Sequence, residues 1–264
     1  MPLVQSLLLN IPTTLLGILI IGGTIGLSIL GLLIVRKYVP AKKFKAHNDV
    51  AGFIFATLGV IYAVMLAFLV IVAWENFDQC NSNVVKEANF IGSLYRDSEA
   101  FSPDFKAELS TALNAYVNSI IHDEWPLLSK GRGSPRTHQL STNIYKLYAK
   151  YEPRSISEQI FLAESIGKRN DAGELKRIRI HDSHTGIHPV LWLVLIMGGM
   201  ITISFTFFFG MENFGAQIIM TSLLAGMIGL MLFTVMVLDY PYSGSVSIHP
   251  GPFIDMIGPL GKIK

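Results

Sequence analysis

Residues 50–75 read VAGFIFATLGVIYAVMLAFLVIVAWE. From Val50 to Ala73 no side chain is charged, and the run closes on Trp74-Glu75. A helix rises about 1.5 Å per residue, so a run of this length crosses the ~30 Å hydrocarbon core of a bilayer. Trp at its end suits the headgroup level, where an amphipathic ring has an apolar side and a wet one. Three more stretches share this character. No charge occurs between Met1 and Val35, and the span is read as 13–35. It is longer than the apolar core of a secretory signal and has no basic residue before it, which marks a retained helix. The other two uncharged runs are 190–210 and 217–238. Only Met211 to Ala216 separates them, so they form an antiparallel hairpin. With 50–73 as the second span, four spans put both ends of the chain on one side of the membrane.

Composition agrees. Of 264 residues, 51% are hydrophobic and 15% charged, against about 25% charged in a soluble domain. The mean hydropathy is +0.46. Disorder, a fibrous protein and a disulfide scaffold are excluded, and the single cysteine, Cys80, permits no intrachain bridge. The net charge of +2 arises from 21 Lys+Arg against 19 Asp+Glu. With no basic block carrying interleaved aromatics, no nucleic-acid partner is implied. The partner is the lipid bilayer, and the expected location is the cell's inner (plasma) membrane, crossed several times.

Between spans two and three, 75–189 holds most of the charges and reads as helices with polar breaks. Ser102-Pro103 is a cap followed by Pro at the first helical position. Phe105, Leu109, Leu113, Tyr116 and Ile120 then form one apolar stripe, which Trp125-Pro126 is expected to end. Ser134-Pro135 starts a second stripe of Leu140, Ile144, Leu147, Tyr148 and Tyr151. Ser155 and Glu158 have capping-box spacing and open a helix reaching about Ile180. Phe77, Val84, Ala88, Ile91 and Tyr95 continue the periodicity of span two, which predicts one long helix leaving the membrane. Residues 239–264 are a C-terminal tail. The fold class is an all-α membrane protein: four transmembrane helices with a helical extramembrane domain between helices 2 and 3.

The spans carry further patterns. Gly59, Ala63 and Ala67 lie four apart in span two, as do Gly198, Thr202, Thr206 and Gly210 in span three and Thr221, Ala225 and Gly229 in span four. Small residues on one face let backbones approach, which is how helices associate where lipid gives no hydrophobic gain. Opposite the small stripe of span two lie Phe55, Leu58, Tyr62, Met65 and Leu69. They are the candidate lining of a pore, and the alternative is that they face lipid or a neighbouring span. No ionisable group lies well inside any span. That weighs against pumps and coupled transporters but not against a channel, because an apolar constriction gates by dewetting.

The segments Val35 to Pro40, His47 to Phe53, Gly59 to Phe68, Trp74-Glu75, Glu124-Trp125-Pro126 and Leu238 to Gly244 resemble the bestrophin-like family of bacterial membrane proteins, over nearly the whole chain. The resemblance implies a homo-oligomeric anion channel, a pentamer with the second span around the pore, taking chloride or another anion as the permeating partner. It also implies that the large non-membrane part lies in the cytosol. The charge count points the other way. Arg36, Lys37, Lys42, Lys43 and Lys45 crowd the first loop, and basic short loops favour the cytoplasmic side. That places 75–189 outside the cytoplasm.

Chemistry outside the spans is sparse. His181, His184 and His188 are spaced for one helix face, and three imidazoles suit zinc. Gly186 and Pro189 interrupt that helix, and the residues equally fit a polar approach to the membrane. His122, Asp123 and Glu124 read as an acid–base or ion site, or as the solvated side of the first stripe. Asp239 reads as a cap or a pore mouth, and Cys80 as a packed residue of the seam. No nucleophile elbow, phosphate loop or paired Cys ligand set occurs, so neither an enzyme nor a cofactor is expected. Two functions follow from the residues. One is a homo-oligomeric channel with helix 2 at the pore. The other is a membrane-anchored helical scaffold or sensor whose 75–189 domain binds a partner or ligand.

Overall fold

A computed structural model describes residues 3–45 and 47–260, which are mostly helical with no strand among them. In chain order the helices are α1 (Leu3–Asn10), α2 (Thr13–Tyr38), α3 (Ala41–Lys45), α4 (Asn48–Asp97), α5 (Pro103–Ser119), α6 (Trp125–Leu128), α7 (Pro135–Lys150), α8 (Ile156–Asp182), α9 (Pro189–Phe205), α10 (Phe214–Asp239) and α11 (Gly251–Leu260). Four helices are long and apolar enough to cross a membrane: α2, α4, α9 with its 3₁₀ extension to Phe208, and α10. The chain divides into two compact units. Among the described residues, one falls within 7–76 and 186–239, the other within 3–6, 77–185 and 240–260.

The spanning unit is held by close backbone approach. A Cβ on Gly229 of α10 would overlap Thr24 Oγ1 and stand 3.2 Å from the Ile21 Cα of α2. Phe207 fills the notch at Gly31, and Phe233 the notch at Gly17. Tyr62 of α4 lies in a double notch on α9. A Cβ at Gly198 would meet its ring at 2.7 Å, and one at Gly199 would meet its hydroxyl at 2.9 Å. That hydroxyl donates to the Leu195 carbonyl over 3.2 Å. In lipid such contacts supply dispersion and a hydrogen bond in place of a hydrophobic gain.

Polar clasps close the bundle's ends. Asn48 Nδ2 donates to the Gly210 carbonyl (3.1 Å) while the Gly210 N–H donates to Asn48 Oδ1 (2.9 Å). Arg36 donates through Nη2 to the Phe209 carbonyl (2.6 Å) and through Nε to Gln217 Oε1 (3.1 Å). Buried Gln217 in turn donates to the carbonyls of Thr206 and Phe209. These groups satisfy carbonyls that the end of α9 leaves without helical partners. Asp239 accepts from Trp192 Nε1 (3.1 Å) and from the Ile187 N–H. It is a clasp between the end of α10 and the approach to α9.

In the second unit the stripe of α5 is buried throughout, with Leu109 and Ile120 fully so. It meets Ile144 and Tyr148 of α7, Ala172 of α8, and Val84, Ala88 and Ile91 of α4 in one core. Ser134 Oγ caps α7 by accepting from the Thr137 N–H, and Ser155 Oγ caps α8 by accepting from the Glu158 N–H. Trp125-Pro126 does not end the helical path. The chain passes from α5 through a π-helical turn, Ile120–Glu124, into α6. Proline is tolerated there because it sits in the first turn of the new helix, where its missing N–H removes no helical bond. The stretch expected to be a tail belongs to this core: Tyr242, Ile248 and Phe253 are buried in it, and Trp125 Nε1 donates to the Ile248 carbonyl (3.1 Å). Gln5 of α1 is 1% exposed and donates to the carbonyls of Ser129 (3.1 Å) and Ser183 (3.0 Å).

Gly229→Leu should therefore separate α2 from α10 and destabilise the spanning unit by about 1–3 kcal/mol. Gly26→Leu, at a position whose added Cβ meets nothing within 4 Å, should leave the melting temperature of the detergent-solubilised protein unchanged.

Candidate functional site

The two faces of α4 differ in what they meet. Phe55 and Tyr62 of the bulky set are turned onto α9 and its extension. Tyr62 and Leu69 are buried, and Phe55 stacks on Phe205 (ring centroids 5.7 Å) and meets Phe209 edge-on (5.6 Å). Leu58 and Met65 are half-buried on the same side. Of the five, Tyr62 enters the notch of α9 and Phe55 packs on Phe205 near its end, so these two are engaged within one chain. The open face lies opposite, where Phe53, Val60, Val64 and Ile71 are 78%, 63%, 50% and 51% exposed. Gly59 has nothing within 4 Å of an added Cβ, and Ala63 and Ala67 are exposed.

The small residues of spans three and four behave otherwise. Gly198 receives Tyr62, and Gly229 receives Thr24. A Cβ at Gly210 would collide with the backbone of Ala41 and Lys45. Thr202 is buried and donates to the Gly198 carbonyl (2.8 Å), and Thr206 Oγ1 lies 3.2 Å from Thr221 Oγ1. Ala225 is fully buried. These contacts are made within one chain, whereas the small stripe of α4 is left open.

The most elaborate polar arrangement takes in Glu124 from the sequence candidates and adds charges on α4 and α8. Arg179 of α8 is fully buried. It donates through Nε and Nη2 to both oxygens of Glu87 on α4 (2.8 and 3.2 Å) and through Nη2 to Glu124 Oε1 at the end of the π-helical turn (2.8 Å). Its guanidinium lies over Trp125 and Phe253, 5.3 and 5.8 Å from their ring centroids. The other oxygen of Glu124 accepts from the Ser134 N–H (3.1 Å). A fourth charge, Lys176, is 5% exposed. The signal in the sequence is positional. Glu87 sits three and four residues from Val84 and Ile91 on the apolar seam of α4. Lys176 and Arg179 continue the stripe of Ala172 along α8. Opposite charges on the apolar stripes of two helices mark a buried pair, not a solvated face.

The remaining candidates are placed plainly. His181 and His184 are exposed, with ring centroids 5.3 Å apart. His184 Nδ1 lies 2.9 Å from the Ile180 carbonyl, and His188 Nδ1 accepts from the Val190 N–H as the cap of α9. Among the described residues no three His, Cys, Asp or Glu side chains are gathered closely enough to hold a metal ion. Asp123 accepts from Ser119 Oγ (2.8 Å) and pairs with exposed Arg136. Cys80 is buried with its thiol 3.4 Å from Asp182 Oδ2.

Removing Arg179 would leave Glu87 buried without a partner, and breaking such a pair costs about 3–5 kcal/mol. Arg179→Met should therefore abolish protease resistance of the 77–185 unit. Adding Glu87→Gln should restore part of it, because the orphaned charge is gone.

Comparison with known proteins fits this architecture. No curated protein matches the chain. The crystal structure of a bacterial bestrophin homologue from Klebsiella pneumoniae carrying one substitution superposes with a TM-score of 0.69 at 12% identity, over 91% of this chain and 97% of that one. A second crystal structure of the Klebsiella homologue gives 0.68 at 11% identity, over 91% and 98%. A crystal structure described only as a membrane protein variant gives 0.69 at 12% identity, over 91% and 96%. At these identities the likeness is one of fold. The family model of the Bestrophin-like domain matches residues 22–253, and on that match the chain belongs to the Bestrophin-like family.

Proposed function

We propose that the protein is a homo-oligomeric ion channel in the inner (plasma) membrane, a pentamer in which the open face of α4 borders the conduit. The observation that carries this reading is the division of α4 into two faces. Phe55 and Tyr62 are engaged with α9 and Leu69 is buried, while Val60, Val64 and Ile71 are half or more exposed. Membership of the Bestrophin-like family supports the channel class. Gly59, Ala63 and Ala67, open beside that face, would let a neighbouring copy approach closely. An uncharged, apolar constriction passes an ion by the cost of stripping its water, which favours large, weakly hydrated ions. We infer anion conduction, chloride included, from the family link alone. Exposed Glu75 at the end of the same span carries the opposite preference, so the ion class is read from reversal potentials and not from composition.

Purified oligomers in planar bilayers should conduct, with a reversal potential in a potassium chloride gradient on the chloride side. Val64→Ala should raise the conductance, whereas Met65→Ala should leave it unchanged. Silent bilayers holding verified oligomers would reject the channel, and a potassium-side reversal would reject the anion assignment.

On the five basic residues of the first loop we place that loop at the cytoplasmic face and the 75–189 segment outside. Ile160→Cys, at a position 62% exposed, should then react with a membrane-impermeant maleimide in intact cells. Protection until lysis would reverse the orientation and match the arrangement that the bestrophin resemblance implies.

A second reading, the membrane-anchored scaffold, is favoured by the open groove between α5 and α7 lined by Ala107, Thr111, Ala115, Leu140 and Leu147. Crosslinking in cells separates the two. Links to copies of this chain alone support the channel, and a stable unrelated partner supports the scaffold.

A further inference from the structure

The buried charges of the 77–185 unit are not used by the conduction reading, and they are not equivalent. Arg179 serves both carboxylates, and Glu124 takes a further N–H from Ser134. Lys176 is different. Its Nζ has no hydrogen-bond partner, and the nearest carboxylate oxygen, Glu124 Oε2, is 3.9 Å away. The ring of Tyr116 lies 5.5 Å from it. An ammonium has three donors, and here none is satisfied by a carboxylate at hydrogen-bond distance. Its attraction to the acids offsets little of what it loses on leaving water.

We propose that Lys176 is a proton-sensing residue, whose Nζ tightens the packing of α8 against α4 and the π-helical turn when it releases its proton and loosens it when it takes one up. The proton goes to and comes from water, and the amine keeps the electron pair. With the proton bound, the four groups Glu87, Glu124, Lys176 and Arg179 sum to zero charge. Without it they sum to minus one, held by an arginine that already touches both acids.

Every charged neighbour bears on the sign. Burial lowers the proton affinity of Lys176 most. Glu124 raises it, Arg179 lowers it, Glu87 on α4 raises it and Arg169 lowers it. Tyr116 on α5 presents its ring face and stays protonated, because burial pushes its own pKa up. The net direction is down from the ordinary lysine value. A lysine with lowered affinity in the fold penalises folding below its folded pKa. The penalty fades as pH rises from there to the unfolded value of about 10.4. Stability therefore increases with pH across that window.

Lys176 is also the one member of the four that can be removed without stranding a charge, since Arg179 and Ser134 still serve Glu124. The test uses the intact protein in lipid nanodiscs and needs no current, so it stands or falls independently of conduction. Thermal unfolding of the wild type and Lys176→Met is followed from roughly pH 7 to pH 10. The variant should be the more stable at the lower end, with the gap closing as pH rises. A pH-independent gap, or a variant less stable throughout or unable to fold, would overturn the proposal, because the charge would then be supporting the core. Hydrogen exchange of α8 in the wild type alone gives a second reading. After correction for the intrinsic chemistry, the open fraction should fall by about tenfold for each unit by which the proton affinity is lowered. Unchanged protection across the window would also refute the idea.

Discussion

Hydrocarbon cannot hydrogen-bond a peptide group, and every other feature of the spanning unit follows from that. An N–H or C=O without a partner costs several kcal/mol there, so the four apolar stretches are helices. Lipid surrounds an apolar side chain as well as a neighbouring helix does, so association must come from shape and from a few hydrogen bonds. The chain meets the requirement with notches. Tyr62 enters the gap at Gly198 and Gly199, and α2 runs close to α10 because Gly229 has no side chain. Where the helices end and their carbonyls lose partners, Arg36, Asn48 and Gln217 take over.

Away from the bilayer the constraint changes, because water returns and burial itself is favourable. The 77–185 unit accordingly has a core of Leu, Ile, Val and aromatic side chains. Its ionic centre is an exception to that chemistry. Arg179 is enclosed by Trp125 and Phe253 and ties α4, the π-helical turn and α8 to one guanidinium. Replacing such a centre with hydrocarbon is often neutral for stability, while removing half of it is not. Its value lies in register. Only one sliding position of α8 along α4 brings Arg179 to both oxygens of Glu87.

Much of the architecture was legible because it is periodic. A charge-free run long enough to cross a bilayer has few other meanings, and the stripe Phe105, Leu109, Leu113, Tyr116 and Ile120 is a direct image of the buried side of α5. The site was less legible. A helix in lipid is apolar all round, so periodicity alone does not say whether Tyr62 and its neighbours on α4 face a pore, lipid or another span. Glycine spacing held the better information, since Gly198 and Gly199 announce a large partner but do not name it. Arg179, Lys176 and Glu87 are hard to single out in the sequence because isolated charges on a helix usually face solvent. Pro126 is ambiguous in the sequence because a proline ends one helix and begins another with the same residue.

The core of the 77–185 unit is assembled from chain segments far apart in order of synthesis. Trp125 and Arg179 are made before the third and fourth spans, but Phe253, Tyr242 and Ile248, against which they pack, emerge after both. At about 5–20 residues per second, the nascent unit waits several seconds with its ionic centre uncovered while the hairpin of α9 and α10 enters the bilayer. A ribosome that stops short of residue 253 yields a product able to insert but unable to close this core. Successful insertion of the last two helices thus becomes a precondition for burying Arg179, and a chain that fails there exposes itself to proteolysis.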